Sequence, residues 1–340
     1  MKLIVTANAT PFVTGGATYH FEGLVTALQE RGHEVETLRF PFTFHPEDSI
    51  ERLMEWCETL DLTAPNGQQV DKVISLQFPG YGVQHPHHVA WIMHQHRIVY
   101  DLYPEAPSEP VQRLHDLIPA FDNRVLARAE RLYANSRNVS KRLSRYNSLA
   151  AEPLYHPPPL AAHYRTGRAH NYVFLPSRME ALKRQGLVLE AARLWRAPVT
   201  CVLAGRGGYL NQNKRFIAEH DLSERVVILE ECPDQEKLAC YANCLAVIYP
   251  PFDEDYGYVT LEAQLAGKPV ITCTDSGGPL EFIEDDAEGL VVEPTAEAIA
   301  DAVDRLWDNQ SRAREMGLLG RARYLERDIS WDTVVARLTD

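Results

Sequence analysis

The sequence predicts an α/β protein with two doubly wound parallel sheets, one in each half of the chain. Three observations carry that reading. Short continuous apolar runs of the buried-strand kind alternate with segments of helical periodicity along most of the sequence. The 340 residues exceed one ordinary core and predict two domains, since domains usually hold about 100–150 residues. A proline run at His156–Leu160 (HPPPL) breaks the alternation near its middle, because three consecutive prolines continue neither a helix nor an inner strand. The domains are therefore expected at 1–155 and 156–340, with the last helix able to pack back on the first domain.

In the first half, Leu3–Ala7 (LIVTA) reads as a buried strand. A loop with Gly15 and Gly16 follows it. Phe21, Leu24, Val25 and Leu28 then recur at helical spacing, and Gly32 stops that helix. HEVETLRF resumes as a strand, followed by strands at Asp71–Gln77, Val89–Met93 and Arg131–Ser136 and a helix over Val139–Tyr146. In the second half, NYVFLPS, VTCVLAG, VVIL, LAVIYPP, PVITC and GLVVEP read as strands. Helices are expected over Gln185–Arg196, Asp234–Ala242, Thr260–Ala266 and Ala296–Trp307.

Composition excludes several classes. The net charge is −13, from 47 acidic and 34 basic residues, whereas a nucleic-acid binder usually shows a basic face. No apolar run approaches the ~20 residues that span a bilayer. The opening MKLIVTANATPF lacks the apolar segment and cleavage site of a leader, so it reads as a first strand and the protein as cytoplasmic. The six cysteines contain no CxxC pair, and Cys232, Cys240 and Cys244 read as ordinary thiols rather than metal ligands.

The chemistry concentrates in PPFDEDYGYVTLEAQLAGKPVI. Seven residues separate Glu254 from Glu262, with Gly257 and an apolar helix start between them. The pattern reads as a strand end, a tight turn and a helix N-terminus, where Tyr258, Val259 and Thr260 can offer backbone amides to an anion. The two carboxylates are suited to accept hydrogen bonds from sugar hydroxyls.

This stretch resembles the E-x7-E motif of family 4 retaining glycosyltransferases, whose GT-B fold sets two Rossmann-like domains across a cleft. The usual E-G-F-G-L-x-x-L-E-A is here EDYGYVTLEA, with Asp255, Tyr256 and Tyr258 departing from Gly, Phe and Leu. The resemblance implies that Glu254 contacts the donor sugar and Glu262 the ribose hydroxyls. FLPSRMEALKRQGLVLEA resembles the segment in which an Arg and a Lys hold the donor diphosphate, which implies that role for Arg178 and Lys183, with Arg184 as a substitute. A forked guanidinium beside a point-charge ammonium suits a diphosphate. LAGRGGY, with Gly205 and Arg206, looks like the family's glycine turn. Gly15 and Gly16 match its first glycine loop, and GGPLEFI, GLVVEP, ANSRNVSKRL and ISWDTVVARL also fit. His94, just past a strand, matches a histidine near the reacting sugar.

The implied function is transfer of a sugar from a nucleotide-diphosphate donor, UDP-linked or GDP-linked, to a glycan, glycolipid or small-molecule hydroxyl. The family generally needs neither cofactor nor metal. A GT-B epimerase or a non-catalytic nucleotide-sugar binder would share the fold, and TGGAT is too unlike G-x-G-x-x-G to support a dehydrogenase. Asp253–Asp255 also matches the D-x-D of metal-dependent GT-A enzymes. Ser276, in CTDSGGPL, mimics a protease nucleophile on the wrong flanks. Glu254 and Glu262 as a hydrolytic pair would leave the cations unexplained. His85, His87, His88, His94 and His96 could form a metal cluster only if two separate loops met, and His96 could replace His94 as the active residue. Between Arg124 and Arg145 lie seven basic residues: Arg124, Arg128, Arg131, Arg137, Lys141, Arg142 and Arg145. The first three share helical spacing, a solvated face or a patch for an anionic membrane or acceptor.

Overall fold

The first strand, β1 (Lys2–Ala9), sends Leu3, Val5 and Ala7 to one side of a sheet, as period-two alternation requires. The computed structural model describes residues 1–12 and 15–340, so part of the loop before Gly15 lies outside the described residues. The chain divides into two units, residues 1–156 with 330–340, and residues 157–329.

The first unit continues with α1 (Gly16–Glu30), β2 (Glu34–Pro41), α2 (Asp48–Thr59), β3 (Lys72–Ser75), β4 (His88–Ile92), α3 (Glu109–Leu126), β5 (Arg131–Ala134), α4 (Arg137–Asn147) and β6 (Glu152–Pro153). Its strands are parallel in the order β2-β1-β3-β4-β5-β6. The two sheet faces carry separate cores. Val89 and Trp91 of β4 pack with α1, while Ala90 and Ile92 of the same strand pack with α2, α3 and α4.

The second unit runs β7 (Tyr172–Pro176), α5 (Gln185–Ala192), β8 (Thr200–Ala204), α6 (Leu210–Glu219), β9 (Val226–Leu229), α7 (Asp234–Asn243), β10 (Ala246–Ile248), α8 (Tyr258–Leu265), β11 (Val270–Cys273), β12 (Gly289–Val292), α9 (Ala296–Asp308) and α10 (Gln310–Glu326). Its parallel strands follow β12-β11-β10-β7-β8-β9. Counted from β7, that is the Rossmann order, and it reverses between β7 and β10. Ligands of such sheets bind outside the strand carboxyl ends at that reversal.

The last helix, α11 (Trp331–Thr339), belongs to the first unit. Val334, Val335 and Leu338 join the α1 core. Lys72 Nζ donates to Thr339 O at 3.0 Å, and Tyr133 OH to Arg337 O at 3.0 Å.

Helices α2, α3, α6 and α10 go beyond the sequence reading. Pro110 and Pro119 hide α3, although Leu114, Ile118, Phe121 and Val125 keep a helical stripe. Helix α10 has no broad apolar stripe, because Gly317 and Gly320 stand on its buried side. The helical face expected for Arg124, Arg128 and Arg131 does not form, since α3 ends at Leu126 and Arg131 opens β5. Arg124 and Arg128 both pair with Glu58, at 2.6 and 3.3 Å, and Arg142 is buried. No helix among the described residues is long and apolar enough to cross a membrane.

A Cβ at Gly317 would lie 2.2 Å from Gly267 O, so α10 approaches the end of α8 backbone to backbone. Gly317→Val is expected to destabilise the second unit by about 1–3 kcal/mol through overpacking, measured by urea denaturation.

Candidate functional site

Four loops leave the carboxyl ends of β7, β8, β10 and β11, and Arg178, Lys183, Gly205, Arg206 and Glu254 stand on the first three. The loop after β7 is fixed to the loop after β8 by backbone. Ser177 N donates to Ala204 O at 3.0 Å, and Met179 N to Arg206 O at 2.9 Å. Gly205 has φ +138, and a Cβ there would meet Ser177 O at 2.5 Å, so only glycine allows this approach. Gln185 Nε2 secures the same turn by donating to Ser177 Oγ at 2.8 Å and Arg178 O at 2.9 Å. Arg178 is thereby placed at the strand end. Its side chain is half-exposed, and its Nη1 lies 3.1 Å from Glu180 Oε1.

Lys183 reaches the loop after β10. Its Nζ pairs with Glu254 Oε2 and donates to Tyr249 OH at 3.3 Å. Burial works against the ammonium, but the Glu254 carboxylate outweighs it and holds the Lys183 pKa above the ordinary lysine value. Glu254 is fixed in turn by the loop after β11: its N donates to Ser276 O at 2.9 Å, and its O accepts from Gly278 N at 2.8 Å. Gly257 then turns the chain into α8 at φ +86, a left-handed conformation that suits glycine. The Thr260 amide donates to Gly257 O at 3.0 Å, so it is engaged within the turn. Tyr258 and Val259 also begin α8.

Glu262 lies on α8 and is 2% exposed. Lys237 Nζ donates to its Oε1 at 2.8 Å and Tyr241 OH to its Oε2, both from α7. The two glutamates therefore face different partners, Glu254 the loop after β7 and Glu262 the helix α7. Arg184, the expected substitute cation, forms a fork with Asp275 at 2.7 Å through each nitrogen, and its guanidinium lies over the Phe252 ring at 5.0 Å. Arg206 is exposed and pairs with Glu231 at 2.8 Å.

Sequence reasoning missed Tyr249, Asp275, Lys237 and Tyr241. The spacing of Lys237 and Tyr241, one helical turn apart, was the available signal. Ser276 proves a loop residue: its Oγ accepts from Cys273 N at 3.0 Å, and it is fully buried. Arg178, Lys183, Glu254, Glu262, Gly205 and Arg206 thus converge on one end of one sheet.

Gly15, Gly16 and His94 belong to the first unit. Gly15 precedes α1 in an extended conformation, and its carbonyl accepts from Thr18 N at 3.0 Å. His94 follows β4, and its Nδ1 lies 3.0 Å from Gln95 O. His96 is buried among the Phe42, Phe44 and Phe78 rings. Each histidine before β4 has its own partner: His85 Nε2 lies 3.2 Å from Val70 O, His87 Nδ1 3.3 Å from Glu130 and His88 Nε2 2.8 Å from Ser75 Oγ. No group of metal-ligating side chains occurs among the described residues.

Known proteins share the sequence of part of this chain and the fold of the whole. Residues 165–323 match the family model described as glycosyl transferases group 1. That segment is a member of the glycosyl transferases group 1 family. Over 114 residues the chain is 35% identical to the human alpha-1,3/1,6-mannosyltransferase ALG2, covering 34% of this chain and 27% of that protein. Over 192 residues it is 33% identical to a GDP-mannose-dependent alpha-(1-6)-phosphatidylinositol monomannoside mannosyltransferase of Mycobacterium tuberculosis, covering 53% of this chain and 49% of that protein. The chain therefore spans about a quarter to a half of these relatives. The fold matches a sucrose-phosphate synthase from Thermosynechococcus elongatus at a TM-score of 0.80 and 18% identity, over 99% of this chain and 97% of that one. It also matches Anabaena HepE in complex with UDP and glucose at 0.75 and 18% identity, over 99% and 98%. The architecture is GT-B.

Burial around β4 gives a pH prediction. Burial, with the His94 charge adding to it, lowers the His20 pKa to about 3. His88 and His96 fall to about 4, chiefly through burial, and His156 falls well below the ordinary value. These folded values lie below the unfolded one near 6.5, so the unfolded chain binds more protons in that window. Each histidine removes about 1.4 kcal/mol of stability per pH unit as pH falls from about 6.5 toward 4. Asp122, raised by burial to about 7 despite hydrogen bonds from Tyr81 and Tyr100, acts in the opposite sense below that value. Four histidines outweigh one carboxyl. The first unit is expected to unfold before the second on acidification, read by chemical denaturation along a pH series, and His20→Phe is expected to flatten the slope.

Proposed function

We propose that this chain is a retaining glycosyltransferase that takes its sugar from a nucleotide-diphosphate donor held by the second unit. The observation that carries the reading is the Lys183–Glu254 pair, with Arg178 on the same loop as Lys183, at the reversal of a Rossmann-ordered sheet. Such a place binds nucleotides, and its cations suit a diphosphate.

In this reading the Arg178 guanidinium and the Lys183 ammonium take the diphosphate oxygens. Lys183 is held charged by Glu254 before any donor arrives. Two Glu262 oxygens are already fixed from α7, and a carboxylate has about four acceptor sites, so it can still accept from ribose hydroxyls. Glu254 orients the donor sugar. The bond from the anomeric carbon to the departing phosphate breaks, and the acceptor oxygen bonds to the same face of that carbon. The acceptor proton passes to the departing phosphate. Arg178 and Lys183 stabilise the charge that develops there, a contribution usually among the largest in such catalysis. No metal or cofactor enters this scheme. The relatives' names favour GDP-mannose as the first donor to test, with UDP-sugars in the same panel. The acceptor is a carbohydrate, lipid-linked or small-molecule hydroxyl.

A thermal-shift panel of nucleotide sugars tests the reading, because a ligand that binds only the folded state raises the melting temperature. One of them is expected to raise it, and Arg178→Ala to weaken that donor's binding about tenfold, about 1.4 kcal/mol by calorimetry. No shift from any nucleotide sugar would sink the reading. With the winning donor and an acceptor, Glu254→Gln and His94→Ala are expected to lower kcat by tenfold or more. NMR of the product is expected to show the donor's anomeric configuration kept. Turnover without acceptor would instead mark an epimerase.

A further inference from the structure

The sheet of the second unit carries a second cationic cavity at its opposite end. It encloses about 660 Å³, within the range of small-molecule sites. It is lined by residues 166–169 before β7, by Gly267–Pro269 between α8 and β11, and by the first turn of α10. These are the amino ends of the strands, whereas Arg178, Lys183 and Glu254 follow their carboxyl ends. The cavity is therefore distinct from the candidate donor site.

Its charge is one-sided. Arg168, Lys268 and Arg314 line it, and no Asp or Glu does. Arg168 and Arg314 are exposed at its edge, whereas Lys268 is 4% exposed. Among the described residues none of the three forms an ion pair. Lys268 Nζ donates to Gly167 O at 3.2 Å, one carbonyl for three donors. Burial lowers the Lys268 pKa, Cys244 opposes that in part, and the Arg314 charge adds to the lowering. Buried cations are ordinarily paired. Lys183 on Glu254, Lys237 on Glu262 and Arg184 on Asp275 follow that rule in this unit. A buried lysine without an ion pair, with two further cations at the edge of the same cavity and no carboxylate lining it, therefore marks a place where the compensating charge comes from outside the chain. Thr166, Gln310 and Ser311 add polar side chains at the rim.

We propose that this cavity binds a phosphorylated small molecule, its phosphate held by Lys268, Arg168 and Arg314 and the rest of the ligand filling the remaining volume. The forked guanidiniums and the ammonium suit a phosphate dianion. The site lies on the donor-holding unit but takes no part in the proposed transfer.

Calorimetry on the full chain with ribose 5-phosphate tests this, with ribose as the uncharged control. Saturable binding of ribose 5-phosphate is expected, with none for ribose. Arg168→Ala/Arg314→Ala, at two exposed positions, is expected to weaken it at least tenfold. Lys268→Met, which keeps length and removes the buried charge, is expected to do the same. Arg178→Ala, in the candidate donor site, is expected to leave it unchanged. Absent binding, equal binding of ribose, or an affinity untouched by the double substitution would overturn the proposal. So would loss of binding in Arg178→Ala, which would place the ligand in the donor site. The nucleotide-sugar panel is independent of these arms: its failure would remove the transferase reading and leave this site standing.

Discussion

The Lys183–Glu254 ion pair is the contact on which the candidate donor site depends. A doubly wound sheet reverses direction between β7 and β10, so the loops leaving those strands run apart. Lys183 stands on one loop and Glu254 on the other. Their pairing bridges the two loops. Each partner is also anchored by backbone to a further loop, through Met179 to the loop after β8 and through Glu254 to the loop after β11. Four loops thus share one frame. Fixed groups at such a place need little reorganisation when charge develops, which is how preorganised sites act.

The same logic accounts for the two glutamates. They are close in sequence but separated by the turn at Gly257, and each meets its own cation. Glu262 is almost fully buried, and Lys237 with Tyr241 satisfies both its oxygens, as a buried carboxylate requires. Arg184 shows the alternative fate of a cation near this site. Its fork is occupied by Asp275 through both nitrogens.

Most of the fold was legible because its strands are short apolar runs punctuated by Gly and Pro. Two of the helices that escaped, α3 and α10, carry prolines or lack a broad apolar stripe. Helix α10 meets the end of α8 backbone to backbone at Gly317, and Ala313, Gly317 and Gly320 occupy most of its buried side, so Met316 and Tyr324 alone mark it as apolar. Helix α3 carries Pro119 within it, which reads as a breaker although the helix continues. In the site, Glu254, Glu262, Arg178 and Lys183 were legible from spacing and resemblance. Their partners were not, because Asp275, Tyr249 and Lys237 reach them from separate elements that only the sheet order brings near. The basic stretch from Arg124 misled because a helix end and a strand start share its apparent periodicity.

The return of α11 to the first unit sets an order of events during synthesis. Trp331, which lies against Gly23 of α1 and 6.5 Å from the Trp91 ring, leaves the ribosome only after the entire second unit. Until then the α1 face of the first sheet lacks Val334, Val335 and Leu338, so its apolar surface stays partly open to water. The half of the protein that is made first is in this sense finished last, and a nascent chain stalled anywhere in the second unit carries an incomplete first one.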